Sequence, residues 1–359
     1  MKKSFYIFLI LAGVLVFALI SRTASAEKIV LNVQSCFPLK LEGLGTTIGY
    51  VADNIGIASN GEVVMKVYEP GKLVPAFEIL DAVSKGSINA GFATATYWSG
   101  KAGPAAPLFG AIPFGPEYLE YGAWFYKGNG MKLYQEFYDR AGFNVKVLLL
   151  GILAPECSGW FRKPINSPKD LKGLRIRFMG LGGMVMEKLG ASVSLLPLGE
   201  TFPALEKGAL DATEVCTPAV DKGLGLYKIA KHNYYPGWHQ PATNMELLIN
   251  KDTWNKMTEA QKRIIEVMCV AGTLDCMTSC EFIQGEVIKE FIEKHGVTVH
   301  YWSKEFLELF QKTWNEVLEG EKKDPFFKKV WDDLQAFRET YKYWVSLGYL
   351  PRPQPPKMK

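Results

Sequence analysis

The stretch Leu171–Ala191, LKGLRIRFMGLGGMVMEKLGA, decides how the rest of the chain is read. In Leu174-Arg175-Ile176-Arg177-Phe178 apolar residues alternate with arginines, the period-two pattern of a strand. Gly180, Gly182 and Gly183 break that pattern and permit tight backbone geometry. Met184 to Leu189 suits a helix that Gly190 closes. Such a unit brings Arg177 to the end of a strand just before a helix N-terminus. Unpaired backbone N–H groups and the helix dipole favour an anion there. A guanidinium adds a planar fork that grips a carboxylate with two hydrogen bonds. Two readings stand side by side: the carboxylate-holding element of a ligand cleft, and an ordinary amphipathic strand with two solvated arginines.

Upstream, the chain opens with Lys2 and Lys3, an apolar run from Phe5 to Ile20, then Ser21-Arg22-Thr23-Ala24-Ser25-Ala26. That is the layout of a secretory signal peptide ending in Ala-x-Ala, with cleavage expected after Ala26 and export to the periplasm. An uncleaved anchor is the alternative; no Cys stands at the cleavage point, which argues against a lipoprotein. Residues 1–26 hold three of the 41 basic residues and no acid, so their removal leaves 38 basic against 37 acidic residues. A nearly neutral chain gives no sign of nucleic-acid binding. Its length suffices for two lobes with separate cores.

The six cysteines are Cys36, Cys157, Cys216, Cys269, Cys276 and Cys280. No CxxC pair is present and the spacing is not that of a zinc site. Cys269, Cys276 and Cys280 fall on one face of a helical pattern and read as small buried residues.

From Glu27 to Ala93 the pattern is β-α-β-α-β: Ile29–Val33, Gly43–Ala58, Val63–Val67, Phe77–Lys85 and Ala90–Ala93. It predicts a mostly parallel sheet covered by helices. A helix around Leu119–Ala141 and a strand Val145–Leu150 follow. A second α/β half holds Gly159–Arg162, the opening stretch, Val193–Leu196, a helix Thr201–Lys207 and Ala212–Glu214. After the strand Leu247–Asn250, Thr253–Lys294 reads as one helix of about 60 Å, enough to run along two lobes. Beyond the strand Val297–Tyr301, a helical region runs from Lys304 to about Leu347, with a possible break at Asp324-Pro325. Its Phe306, Phe310, Trp314, Phe326, Trp331, Phe337, Tyr341 and Trp344 form an aromatic stripe, read either as packing on the chain's own lobe or as a dimerisation arm. Residues 351–359 are Pro- and Lys-rich, the composition of a disordered tail.

Taken together, Ala106–Gly115, Gly159-Trp160-Phe161, Asp170–Arg177, the Gly180–Gly183 turn, Gly208–Glu214 and Tyr234–His239 resemble the DctP-type solute-binding proteins of TRAP transporters. The branch they are most similar to captures 2-oxo acids and related small carboxylates. The resemblance implies an α/β fold of two lobes, the periplasmic binding protein type, with a long helix spanning both and a C-terminal helical arm. Residues 27–151 with part of 241–275 would form lobe I. Residues 152–240 with part of 276–303 would form lobe II, and 304–350 the arm.

The same resemblance assigns the site. Arg177 would pair with the ligand carboxylate, Glu156 would lie next to the ligand, and Tyr97 and Trp98 would form an aromatic wall. A bridging sodium or calcium ion would be held by the Glu214 side chain, the Val215 carbonyl and Gln240. Partners would be TRAP membrane subunits, and possibly a second copy through the C-terminal helix.

The chain departs from the branch at informative places. Val215 and Cys216 follow Glu214 where the branch has Trp, which enlarges the pocket. Gln240 stands where an acid is usual and Glu156 where an amide is usual, so one carboxylate replaces another. Glu156 and Glu214 together suit a hard cation with oxygen ligands; without one they repel, and one tends to stay protonated. The expected ligand is therefore a carboxylate larger than pyruvate. Cys157 and Cys216 would flank the cleft as a disulfide or as two separate thiols. A carboxylate-handling enzyme or a ligand sensor on the same fold is the rival reading. The sequence has no G-x-S-x-G elbow, no H-E-x-x-H and no P-loop.

Overall fold

The computed structural model describes residues 27–352. The signal segment expected at 1–26 and most of the tail expected at 351–359 lie outside the described residues.

Chain order gives β1 (Ile29–Ser35), α1 (Gly45–Ala58), β2 (Val63–Tyr68), α2 (Ile79–Ser84), β3 (Ala90–Ala93), α3 (Tyr118–Lys127), α4 (Gly130–Arg140) and β4 (Val145–Leu153). Next come β5 (Gly159–Phe161), β6 (Arg175–Arg177), α5 (Gly180–Lys188), β7 (Ser192–Ser194), α6 (Leu198–Glu206), β8 (Ala212–Thr213), α7 (Pro218–Leu224) and β9 (His232–Tyr235). The last part holds β10 (Thr243–Asn250), α8 (Lys251–Lys256), α9 (Glu259–His295), β11 (Thr298–Tyr301), α10 (Lys304–Glu321) and α11 (Pro325–Gly348).

Two sheets result. The first has the order β2-β1-β3-β10-β4 and the second β11-β9-β5-β8-β6-β7. In the first, β1 pairs parallel with β2 and β3, as the β-α-β-α-β pattern predicts, while β10 runs antiparallel to β3 and β4. The sheet is mixed because β10 returns from the other lobe instead of following a local helix. The chain passes between the sheets at 154–158, at 236–242 and along α9. Leu31, Val33, Val147, Leu150 and Ile249 have no exposure at all, and form the centre of the first lobe.

Several helices differ from expectation for local reasons. The helix expected around Leu119–Ala141 is two, because Gly128 and Asn129 end α3 and start α4. The long helical pattern splits at Met257-Thr258. There Thr258 and Gln261 form a capping box, with Thr258 Oγ1 accepting from Gln261 N at 3.2 Å and Gln261 Oε1 accepting from Thr258 N at 3.0 Å. From that cap α9 runs 37 residues, about 55 Å at 1.5 Å per residue. It packs on β4 and α1 in the first lobe and on α7 in the second. Cys269, Cys276 and Cys280 lie buried on its inward face.

The break at Asp324-Pro325 is present. Asp324 Oδ1 caps α11 by accepting from Phe326 N at 3.0 Å and Phe327 N at 2.7 Å. Helix α10 packs on α5 in the second lobe, and α11 packs on α3 and α4 in the first. Phe306, Phe310, Trp314, Phe326 and Trp331 are buried on the chain's own lobes. The stripe then runs out: Tyr343, Trp344, Leu347 and Leu350 are 60 to 91% exposed. Among the described residues no helix is long and apolar enough to cross a membrane.

Candidate functional site

Strand β6 ends at Arg177, and α5 begins three residues later. The glycines expected to form a turn are instead the first turn of that helix. Close approach demands them. A Cβ on Gly180, whose φ is +60°, would lie 2.7 Å from the Thr96 methyl of the opposite lobe. A Cβ on Gly182 would lie 2.7 Å from the Phe178 ring and 2.8 Å from His239 Cβ.

Arg177 is buried, 1% exposed. Its Nη1 donates to Glu214 Oε2 at 2.7 Å and to the Glu214 carbonyl at 2.6 Å, and its Nε donates to the Leu196 carbonyl at 3.4 Å. Among the described residues Nη2 is left for a further acceptor. The anion drawn to the start of α5 is Glu214 itself, since Met179 N–H also donates to Oε2 at 3.2 Å. The register explains the meeting: Arg177 pairs with Thr213 on β8, so Glu214 leaves the sheet beside it.

On the other side of Glu214, His239 Nε2 lies 3.4 Å from Oε1. Glu214 Oε1 and both ring nitrogens of His239 are buried without a hydrogen-bond partner among the described residues. Glu156 completes the group: ligand atoms of Glu156, Glu214 and His239 all lie within 4.8 Å of one another. Glu156 Oε1 accepts from Thr243 Oγ1 at 2.6 Å. The Gln240 amide, turned with its NH2 toward Glu156, donates to both carboxylate oxygens at 2.8 Å. Glu156 and Gln240 are therefore direct neighbours. Val215, on the turn after Glu214, is buried with them.

Electrostatics separates the two carboxylates. Burial pushes the Glu156 carboxyl well above its ordinary range, and the Glu214 charge adds to that push. Burial also opposes the charged form of Glu214, but Arg177, then His239, then the Met179 N–H outweigh it and hold the carboxyl below its usual value. Arg177 bonds Glu214 alone, and the neighbouring Glu156 keeps a proton unless positive charge arrives. The unpartnered Glu214 oxygen and the adjacent Glu156 suit a hard cation with oxygen ligands.

The predicted wall divides. Tyr97 borders a cavity of about 310 Å³ between the lobes, together with Thr96 and Pro107 from one side and Phe178, Gly180 and Leu181 from the other. Trp98 turns into the first lobe, where its Nε1 donates to Glu246 Oε1 at 2.7 Å. Tyr138 donates to both oxygens of that carboxylate at 2.8 and 2.7 Å, and Tyr134 also donates to it. The acidic residues lining the cavity are Glu187 and Glu321, and no Lys or Arg lines it. A larger groove of about 680 Å³ lies along Tyr301, Trp302 and α10. It is a shallow surface feature, whereas the interlobe cavity is bordered by Tyr97 and by Phe178, the residue after Arg177, and is the better candidate.

Cys157 and Cys216 are free thiols. Cys157 Sγ instead donates to Asp221 Oδ2 at 3.1 Å. The residues that sequence reasoning missed are Thr243, Glu246 and Asp221. Asp221 sits in a helical first turn, where an acid reads as an ordinary dipole partner; Thr243 and Glu246 carry no local signal.

Known proteins resemble this chain over most of its length. Residues 45–324 match the profile of bacterial extracellular solute-binding protein family 7, DctP. A monocarboxylate 2-oxoacid-binding periplasmic protein of Nostoc is 36% identical over 312 residues, covering 86% of this chain and 85% of the relative. A TRAP transporter solute-binding protein of Bordetella bronchiseptica, a dimer with calcium and picolinate, superposes with a TM-score of 0.86 at 26% identity, covering 89% and 95% of the two chains. One from Pseudoalteromonas atlantica, with sodium and pyruvate, gives 0.84 at 28% identity, covering 89% and 97%.

Proposed function

The chain belongs to bacterial extracellular solute-binding protein family 7, and from that premise we propose that it captures a small 2-oxo acid or related monocarboxylate between its two lobes for a TRAP-type transporter. The supporting observation is the buried Arg177 at the interlobe boundary, with one arm unpaired and its partner Glu214 clustered with Glu156.

In this reading Nη2 of Arg177 grips the ligand carboxylate. Tyr97 covers it from the first lobe, Glu156 lies alongside, and Trp98 supports Tyr97 from behind through Glu246. Glu214, the Val215 carbonyl and Gln240 hold a sodium or calcium ion, which supplies positive charge and oxygen coordination when bound. The relatives with calcium and picolinate and with sodium and pyruvate support such an ion. A ligand with a single negative charge suits the cavity, because its lining offers Glu187 and Glu321 and no Lys or Arg, leaving Arg177 beyond it as the one cationic side chain invoked. The absence of a Trp after Glu214 favours a side chain larger than that of pyruvate.

Binding closes the lobes, bending the chain at 154–158 and 236–242. The lobes are 27–151 with part of 241–275, and 152–240 with part of 276–303. The closed form docks to membrane subunits. Residues 1–26 are cleaved on export to the periplasm. The exposed end of the arm pairs with a second copy. A cysteine nucleophile is disfavoured: burial pushes the thiols of Cys157 and Cys216 far above the range in which a thiolate forms.

Calorimetric titration with pyruvate and larger 2-oxo acids, in sodium, calcium and chelator buffers, tests the reading. Saturable binding that weakens without the cation is expected. Failure of every acid in every buffer would sink it.

A further inference from the structure

Asp221 is wholly buried in the first turn of α7, yet its side chain bonds nothing on its own helix. Oδ2 accepts from Trp160 Nε1 at 2.6 Å on β5 and from Cys157 Sγ at 3.1 Å. Both donors belong to the stretch that enters the second lobe, and Cys157 is the residue after Glu156. One backbone bond, Cys157 N to the Cys216 carbonyl at 3.2 Å, runs alongside. Glu214 and Glu156 therefore stand just beyond the paired strands β8 and β5, on two segments that leave the sheet and are held together behind the site by that bond and by the Asp221 carboxyl. The third segment presses on the same place: a Cβ on Gly237 would lie 2.2 Å from the Glu156 carbonyl.

We propose that Asp221 is a positioning residue, which sets the spacing of the Glu156 and Glu214 carboxyl groups and through it the affinity of the interlobe site. It touches neither ligand nor ion. A buried carboxyl held by two donors from another segment is a stiff anchor, because breaking either bond would leave a polar group unsatisfied in the interior. A binding constellation tolerates displacements of only about 0.5 Å. The inference rests on the carboxylate-binding reading above for its effect on affinity, and on geometry alone for its effect on spacing.

The test uses the mature protein with Asp221→Asn, and Trp160→Phe as a milder variant that removes one donor. Titration with pyruvate in sodium and in calcium buffer is expected to weaken by about ten-fold or more in Asp221→Asn, and by less in Trp160→Phe. A ligand-free crystal structure of the variant is expected to show the Glu156 and Glu214 carboxyl groups displaced relative to each other by more than about 0.5 Å, with both sheets superposing on the parent. Unchanged affinity, or unchanged spacing, overturns the proposal. If the parent protein binds no 2-oxo acid, the functional reading fails by itself and the spacing alone decides Asp221. If Asp221→Asn does not fold, both measurements on Trp160→Phe decide in its place.

Discussion

Arg177 and Glu214 form a fully enclosed ion pair, Nη1 to Oε2 at 2.7 Å, with side chains 1% and 0% exposed. Neither residue is satisfied by the other alone. Arg177 keeps one arm in reserve, and Glu214 keeps one oxygen unbonded. A pair that costs desolvation and leaves polar atoms over is a poor choice for stability. It is a good one for receiving a further anion and cation together.

Removing the guanidinium strands Glu214 in the interior. Arg177→Ala is expected to cost about 3–5 kcal/mol of folding stability, and to abolish carboxylate binding. Arg177→Lys keeps the charge but cannot reproduce both bonds to Glu214 with an arm to spare, so it should fold better than the Ala variant and still bind weakly. Denaturant melts and calorimetry on both variants check this. Retained affinity in Arg177→Ala would remove Arg177 from the site.

Glu246 gives a pH signature in the first lobe. Burial pushes its carboxyl up to about 7, against the lowering effect of hydrogen bonds from Tyr134, Trp98 and Tyr138. The folded protein therefore keeps a proton that the unfolded chain releases near pH ~4.3. The stabilisation is complete below that pH and is lost as pH rises to about 7. Its size is on the order of 3 kcal/mol. Urea midpoints of the parent minus those of Glu246→Gln, followed from pH ~4.5 to ~8, should show this decline. A flat difference would contradict it.

Gly182→Ala places a methyl against the Phe178 ring and His239 Cβ, both under 3 Å from the new atom. Overpacking of this kind costs about 1–3 kcal/mol. Because His239 faces Glu214, ligand affinity should fall along with the melting temperature. Gly49→Ala, where nothing lies within 4 Å of the new atom, serves as the control. Equal behaviour of the two variants would show that the contact is slack.

The exposed apolar end of α11 makes the association state measurable. Light scattering is expected to give a dimer for the parent. A double change, Trp344→Glu with Leu347→Glu, should give a monomer that still binds ligand, since both residues are exposed at the arm's far end. A monomeric parent would dispose of the dimer.

Local signals carried much of the fold. Alternation over Leu174–Phe178, the β-α-β-α-β rhythm from Ile29 to Ala93 and the break at Pro325 each depend on residues close along the chain. Where two helices were read as one, the cause was also local: Gly128-Asn129 and the Thr258–Gln261 box are short features inside longer apolar patterns. Arg177 stood out because its strand ends before a glycine-rich helix start. Its partner did not, because the choice of Glu214 follows from the β6–β8 register.

By itself the sequence determined a two-sheet α/β chain with a long helix and an arginine at a strand end. Only the tertiary structure decided that Glu156 meets Gln240, that Trp98 turns inward to Glu246 while Tyr97 faces the cavity, and that the aromatic stripe is core as far as Trp331 and surface beyond Tyr343. The physical reason is the same in each case. Secondary structure answers to neighbours a few residues away, whereas these contacts exist only where segments crossing between two lobes are brought side by side.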